Sequence, residues 1–203
     1  MKINKNLITC LVILFFVGPA LYAAAFAQQS QQSEEEQKMM KLWMEYSSPG
    51  ENHKYLEYFA GDWDVTATIW MPGAAPDVSR GFSHSELLIG GRYLKTYIKG
   101  AMMQMPYEGI TITAYDNYKK EFVSSLIDNV STGIYQVSGT LDKATKTRTE
   151  TGTWDDFMTG GKIKVRMVTK IIDDNKYVLE TYDDKAGGGK EVKTGEIVHT
   201  RKK

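Results

Sequence analysis

Cysteine is nearly absent from this chain: Cys10 is the only one in 203 residues. It sits inside an apolar run near the N-terminus, so a processed form lacking that run has no thiol and no disulfide. Such a form must be held by its own core. Histidine is scarce as well. His53, His84 and His199 are scattered and lack the H-x-x-x-H or H-E-x-x-H spacing that aims two ligands at one metal, so no metal site is expected. There is no Gly-x-Ser-x-Gly elbow for a nucleophilic serine. Gly187-Gly188-Gly189-Lys190 lacks the spacing of a phosphate loop and reads as a hairpin tip. Neither sign of charge is in excess, with 25 basic and 25 acidic side chains. That balance gives no electrostatic case for nucleic acid or an anionic membrane surface.

The one long apolar run is Leu7–Val17, eleven residues. A bilayer-spanning helix needs roughly 20. Lys2 and Lys5 precede the run, Gly18-Pro19 break it, and Ala25-Phe26-Ala27 offers small residues where a signal peptidase reads. Residues 1–27 are therefore expected to be a cleavable secretory signal, cut before Gln28, with a cut after Ala25 as the rival. Export would be to the periplasm or the outside. Cys10 lies within the run rather than after it, which excludes a lipidated cysteine. Cleavage leaves 176 residues, enough for one domain with a real core. With Lys2 and Lys5 gone, 23 basic side chains face 25 acidic ones, and no further stretch supports stable membrane insertion.

Residues 28–36 (QQSQQSEEE) are polar and low in complexity, which predicts a flexible leader. Met39, Met40, Trp43 and Met44 lie near helical spacing and predict a short amphipathic helix over 37–46. A second short helix is expected over Glu51–Ala60, with Gly61 as its stop. The hydrophobic period then changes to two. Strands are expected at Trp63–Trp70, Ser79–Ile89, Arg92–Ala101, Glu108–Asp116, Glu121–Asp128, Gly133–Leu141, Lys146–Trp154, Lys162–Ile172, Lys176–Tyr182 and Glu191–Arg201, with turn formers between them. Lys162–Ile172 alternates most cleanly, with Val168 the exception on its wet side. Nothing after residue 61 has room for a crossover helix, so neighbouring strands should pair antiparallel. The expectation is an all-β, antiparallel up-and-down barrel of about ten strands with short N-terminal helices. Its parts are the signal at 1–27, leader and helix at 28–48, and one barrel domain at 49–203. A barrel of this size can hold one small ligand.

Few residues suggest chemistry. His199 shares strand parity with Ile197 and Arg201, so it faces inward if Ile197 does. An inward histidine can orient a polar ligand group, ligate a haem iron, or serve as a satisfied core group. Asp155-Asp156, Asp173-Asp174 and Asp183-Asp184 sit near turns and read as turn chemistry, not as a catalytic pair. Asp128 with Ser131-Thr132-Gly133 forms a polar cluster at a strand end. Met102, Met103 and Met105 beside Pro106 suggest adaptable apolar surface at a barrel mouth.

Gly61-Asp62-Trp63 opens the first strand after a short helix, and Arg201 lies in the last. This pair resembles the Gly-x-Trp and terminal-Arg arrangement of calycins, the superfamily of lipocalins and fatty-acid-binding proteins. The resemblance implies that Trp63 and Arg201 are structural, the Arg packing across the Trp at the closed end. A longer set of segments is more specific. Pro49 to Leu56 (PGENHKYL), Ala60 to Trp63 (AGDW), Met71-Pro72-Gly73, Gly90 to Leu94 (GGRYL), Pro106 to Gly109 (PYEG), Tyr115-Asp116-Asn117, Ser131-Thr132-Gly133 and Thr200-Arg201-Lys202 together resemble the bacterial family called domain of unknown function fifteen-seventy-nine. Ala114, Leu126 and His199 depart from that pattern, which has Gly, Trp and Tyr there, so the resemblance implies no haem ligand at His199. It implies a β-barrel and supplies no catalytic residues.

The expected function is that of an exported calycin-like barrel binding a small apolar ligand, with His199, Tyr115, Asp128 and Trp154 as ligand contacts. No cofactor and no nucleic-acid partner are expected. Two alternatives stand beside it: an enzyme with its site at the barrel mouth, built on His53 or His199 with Asp128, and an interaction module using residues 37–46.

Overall fold

A computed structural model describes residues 33–203; the expected signal peptide and residues 28–32 of the leader lie outside them. Among the described residues helix α1 covers 33–47, and it belongs to a different unit from Pro49–Lys203. Residues 33–36 are helical, where the sequence suggests a flexible leader. Among the described residues no helix is long and apolar enough to cross a membrane.

The second unit begins with α2, Glu51–Glu57. Its start is held by His53, whose Nδ1 accepts the Gly50 N–H at 3.0 Å. It ends three residues sooner than expected. The N–H groups of Phe59 and Ala60 reach back only three residues, to Leu56 O and Glu57 O, a tightening common at helix ends. Gly61, at φ +113°, then turns the chain into the first strand.

Ten strands follow: β1 Gly61–Ile69, β2 Asp77–Leu88, β3 Tyr93–Met102, β4 Met105–Asp116, β5 Glu121–Asp128, β6 Tyr135–Asp142, β7 Thr147–Asp156, β8 Gly161–Asp173, β9 Lys176–Asp183 and β10 Val192–Arg201. Each pairs antiparallel with the next, and β10 pairs with β1, so the sheet closes into a barrel without edges. The closing register sets Trp63 opposite Arg201. Turn chemistry recurs along the chain. The last residue of every strand from β4 to β9 is an aspartate: Asp116, Asp128, Asp142, Asp156, Asp173 and Asp183. Each accepts a backbone N–H two or three residues on, which fixes where the strand stops. The paired aspartates of the sequence serve these turns. Val168, the apolar residue on the outer face, is 5% exposed. It lies opposite Glu180, beside the ion network in which Glu180 holds Lys170 at 2.7 Å and Lys193 at 2.9 Å.

The core sits at one end of the lumen. Leu56 and Phe59 descend from α2 and its exit turn onto Trp63, Leu94, Phe122 and Tyr177. Trp63 is fully buried and its Nε1 donates to Phe59 O at 2.9 Å. Tyr177 meets two rings edge to face, Trp63 at 4.7 Å and Phe59 at 4.9 Å between centroids, the arrangement that ring quadrupoles favour. Arg201 lies over Trp63 at 4.1 Å and donates to Tyr58 O and Ala60 O at 2.7 and 2.9 Å. Those carbonyls belong to the segment leaving α2, so one guanidinium ties the last strand, the first strand and the plug together.

Candidate functional site

Above the plug the barrel is hollow. A cavity of about 370 Å³ occupies its middle. It opens into a wider mouth of about 780 Å³ whose wall shares Ile98, Met102, Tyr107, Trp154, Thr181 and Ile197 with it. Strand alternation builds the wall: Ser124, Leu126 and Asp128 on β5, and Tyr177, Leu179 and Thr181 on β9, all point inward. On β7 the inward series is Arg148, Glu150, Gly152 and Trp154. A Cβ at Gly152 would come within 2.3 Å of Gln136 O and 2.9 Å of a Val137 methyl. Glycine there lets β6 and β7 approach closely.

The cavity has a polar floor under an apolar belt. Arg148 and Glu150 form a buried ion pair, Nε to Oε2 at 3.0 Å, with side chains 9% and 2% exposed. Glu150 Oε1 also accepts the Ser124 hydroxyl at 2.7 Å, and Ser124 meets Thr113 at 3.0 Å. Arg148 rests on the plug, 5.5 Å above the Phe122 ring and 6.0 Å from Tyr55 and Phe59. Its Nη2 reaches Thr169 at 3.5 Å, and its Nη1 has no partner. His199 is 3% exposed. Its ring stacks on Tyr177 at 4.0 Å, and its Nδ1 is without a partner. Burial pushes its pKa down to about 3, so the imidazole is neutral at ordinary pH. Burial likewise raises the Tyr177 hydroxyl. Toward the mouth, burial with Asp128 and Tyr135 nearby pushes Tyr107 up to about 12. Leu94, Ile98, Leu126, Val137, Met167 and Leu179 form the belt between floor and mouth.

Of the four ligand contacts expected from sequence, His199, Asp128 and Trp154 line the cavity. Tyr115 does not. It packs edge-on against Phe122 at 5.0 Å and His53 at 5.8 Å. Its parity is inward, but at its level the plug fills the lumen. Trp154 stands against Tyr135 at 4.8 Å, and its buried Nε1 has no partner. Of the two histidines of the enzyme alternative, His199 lines the same cavity as Asp128, whereas His53 does not meet Asp128. His53 is at the plugged end, with Nδ1 engaged by Gly50. Asp128 pairs with Gly109 at the mouth end of β4, six residues from Tyr115. Of the three methionines, Met102 and Met103 line the mouth and Met105 does not. Met102 and Met105 flank a two-residue turn in which Met103 and Gln104 both take positive φ, 52° and 64°, a type I′ geometry.

Arg148, Glu150, Ser124, Thr113 and Tyr177 are floor residues that sequence reasoning missed. A signal was present. Arg148 and Glu150 share strand parity with Trp154, so an inward Trp154 requires both charges inward. The Thr-Arg-Thr-Glu-Thr pattern masks this, because charges on a strand ordinarily read as the wet face.

Residues 48–201 match the family described as "Protein of unknown function (DUF1579)", and the chain belongs to that family. No curated protein matches it. Among solved structures, an S-type phycobiliprotein lyase from Guillardia theta shares the fold, with TM-score 0.55 and 11% identity over 79% of this chain and 96% of that one. A redesigned beta barrel, mFAP0, bound to DFHBI is similar at TM-score 0.39 and 13% identity, covering 71% of this chain and 99% of that barrel.

Proposed function

We propose that this DUF1579 family member is an exported binding protein whose barrel holds one small, largely apolar ligand. His199 at the floor, with Asp128 and Trp154 nearer the mouth, would contact the ligand. Trp63 and Arg201 would be structural. The supporting observation is the open lumen: an apolar belt over a polar floor, continuous with a mouth, at a volume within the range of about 300–1,000 Å³ usual for ligand sites. Protein interiors are normally close-packed, so a hollow of this size reads as a ligand site. Export would follow from the charged start, apolar run and Ala25-Phe26-Ala27.

Expression of the full chain in a bacterial host with native mass spectrometry of the periplasmic product tests both parts. The expected product begins at Gln28 and carries a small apolar molecule that organic extraction removes. A cytoplasmic product retaining Met1 would overturn export. A ligand-free protein that also binds no apolar dye would overturn the binding reading.

A further inference from the structure

We propose that the cavity floor takes a neutral, hydrogen-bonding head group, a primary amide or an alcohol on an apolar chain, and discriminates against a carboxylate. The inference rests on the binding reading above. Its first support is a set of buried polar atoms without hydrogen-bond partners on two residues that line one cavity. Arg148 is 8% exposed and its Nε and Nη1 make no hydrogen bond; His199 is 3% exposed and its Nδ1 makes none. Tyr177 bridges them, stacked on the His199 ring at 4.0 Å and within reach of the Arg148 charge. A buried donor without an acceptor is costly. A ligand oxygen accepting from Nη1, with a neighbouring N–H or O–H at the imidazole, relieves both sites.

Charge supplies the second support. Glu150 is fully enclosed and already answers the guanidinium, Nε to Oε2 at 3.0 Å, while Ser124 takes its other oxygen. The His199 ring, buried against Tyr177, brings no positive charge. A ligand carboxylate would place a second anion beside Glu150 where water cannot screen it, and like charges in such a place repel strongly. An amide or hydroxyl makes the hydrogen bonds and adds no charge. Its chain then runs along Leu94, Ile98 and Leu179 toward the mouth.

Isothermal titration of the mature protein at neutral pH with decanamide, decanol and sodium decanoate tests this. Decanamide and decanol are expected to bind at least about tenfold more tightly than decanoate, the scale of one hydrogen bond to a charged group. Decanoate binding as tightly as the amide would overturn the head-group assignment and leave the binding reading standing. Failure of all three would overturn both. Glu150→Gln keeps the shape and removes the anion, so it should reverse the ranking in favour of decanoate; an unchanged ranking in the folded variant would overturn the assignment. The paired change Arg148→Met with Glu150→Met removes both charges and keeps the proposal falsifiable if the single variant does not fold. It also removes the Nη1 donor, so it should weaken decanamide at least about tenfold, and decanamide binding as tightly as to the wild type would count against the proposal.

Discussion

Trp63 and Trp154 are the same residue type at opposite ends of one barrel, in opposite circumstances. Trp63 is fully buried, donates its N–H to Phe59 O, packs against Tyr177 and lies under Arg201. Trp154 is half-buried, leans on Tyr135 and keeps its N–H unpartnered beside a cavity. The plugged end concentrates apolar packing around Trp63. The open end leaves lumen space beside the unpartnered Trp154 N–H. Close packing and open lumen are thus separated along the barrel axis, with the Arg148–Glu150 floor as the boundary. The same residue type should therefore matter to folding at one end and to binding at the other.

The sharpest test is the same substitution at both ends. Trp63→Ala should cost about 3–5 kcal/mol, the range for a large aromatic removed from a packed core, and urea denaturation of the mature protein would show it as a lowered midpoint. Arg201 would lose its ring partner as well, so its hydrogen bonds to Tyr58 O and Ala60 O should weaken together with the packing. A loss under about 1 kcal/mol would mean that the plug is not the stabilising centre and would dissolve the contrast.

The second test probes the boundary through pH. His199 has a folded pKa of about 3 because burial disfavours its charged form, against an unfolded value near 6.5. Above 6.5 both states hold a neutral ring. As pH falls from 6.5 toward 3 the unfolded chain takes up a proton that the native state refuses, so stability falls. The slope approaches roughly 1.4 kcal/mol per pH unit, or about 2 kcal/mol between pH 6.5 and 5. The aspartate and glutamate with depressed values, Asp156 held at about 2 by Lys185 and Thr159, and Glu180 at about 2 because Lys170 and Lys193 outweigh its burial, lose their contribution as pH falls from about 4 toward 2, below the interval between pH 6.5 and 5. His53, pushed down by burial and then by Arg92, acts in the same sense. His199→Phe preserves ring stacking on Tyr177 and should remove the His199 share of the slope. Denaturation midpoints at the two pH values measure it, and an unchanged slope would place His199 in contact with water.

The contrast between the ends was unevenly legible in the sequence. All ten strands were readable, and β5 has the bounds its pattern implies, Glu121–Asp128. Antiparallel alternation over a single interior leaves a strong period-two signal, and the turn aspartates and glycines interrupt it at each hairpin. The plug was readable from Trp63 and Arg201 because a resemblance carries those two positions. The floor was not. Arg148 and Glu150 reverse the rule that charges face water, and the side chains they meet besides each other, Ser124 and Thr169, come from β5 and β8. No local window contains that information. Tyr115 shows the converse: its parity was legible, but whether an inward residue meets a cavity or a plug depends on where α2 packs.

The smallest stability effect should come from Trp154→Ala, and it completes the comparison. Trp154 sits where floor cavity and mouth share a wall, so truncation enlarges a space already open instead of creating a hole in a packed core. Its N–H has no partner to lose, and Tyr135 retains its own place on β6. The expected cost is under about 1 kcal/mol, the range of a substitution that breaks no packed or hydrogen-bonded contact. Binding should respond in the opposite proportion, with a several-fold loss of affinity for decanamide by titration, since a ring that covers the lumen entrance shields a bound chain from water. A variant as unstable as Trp63→Ala would show that the mouth is packed like the plug. One that binds decanamide like the wild type would place the ligand wholly below the ring, on the Arg148–His199 floor.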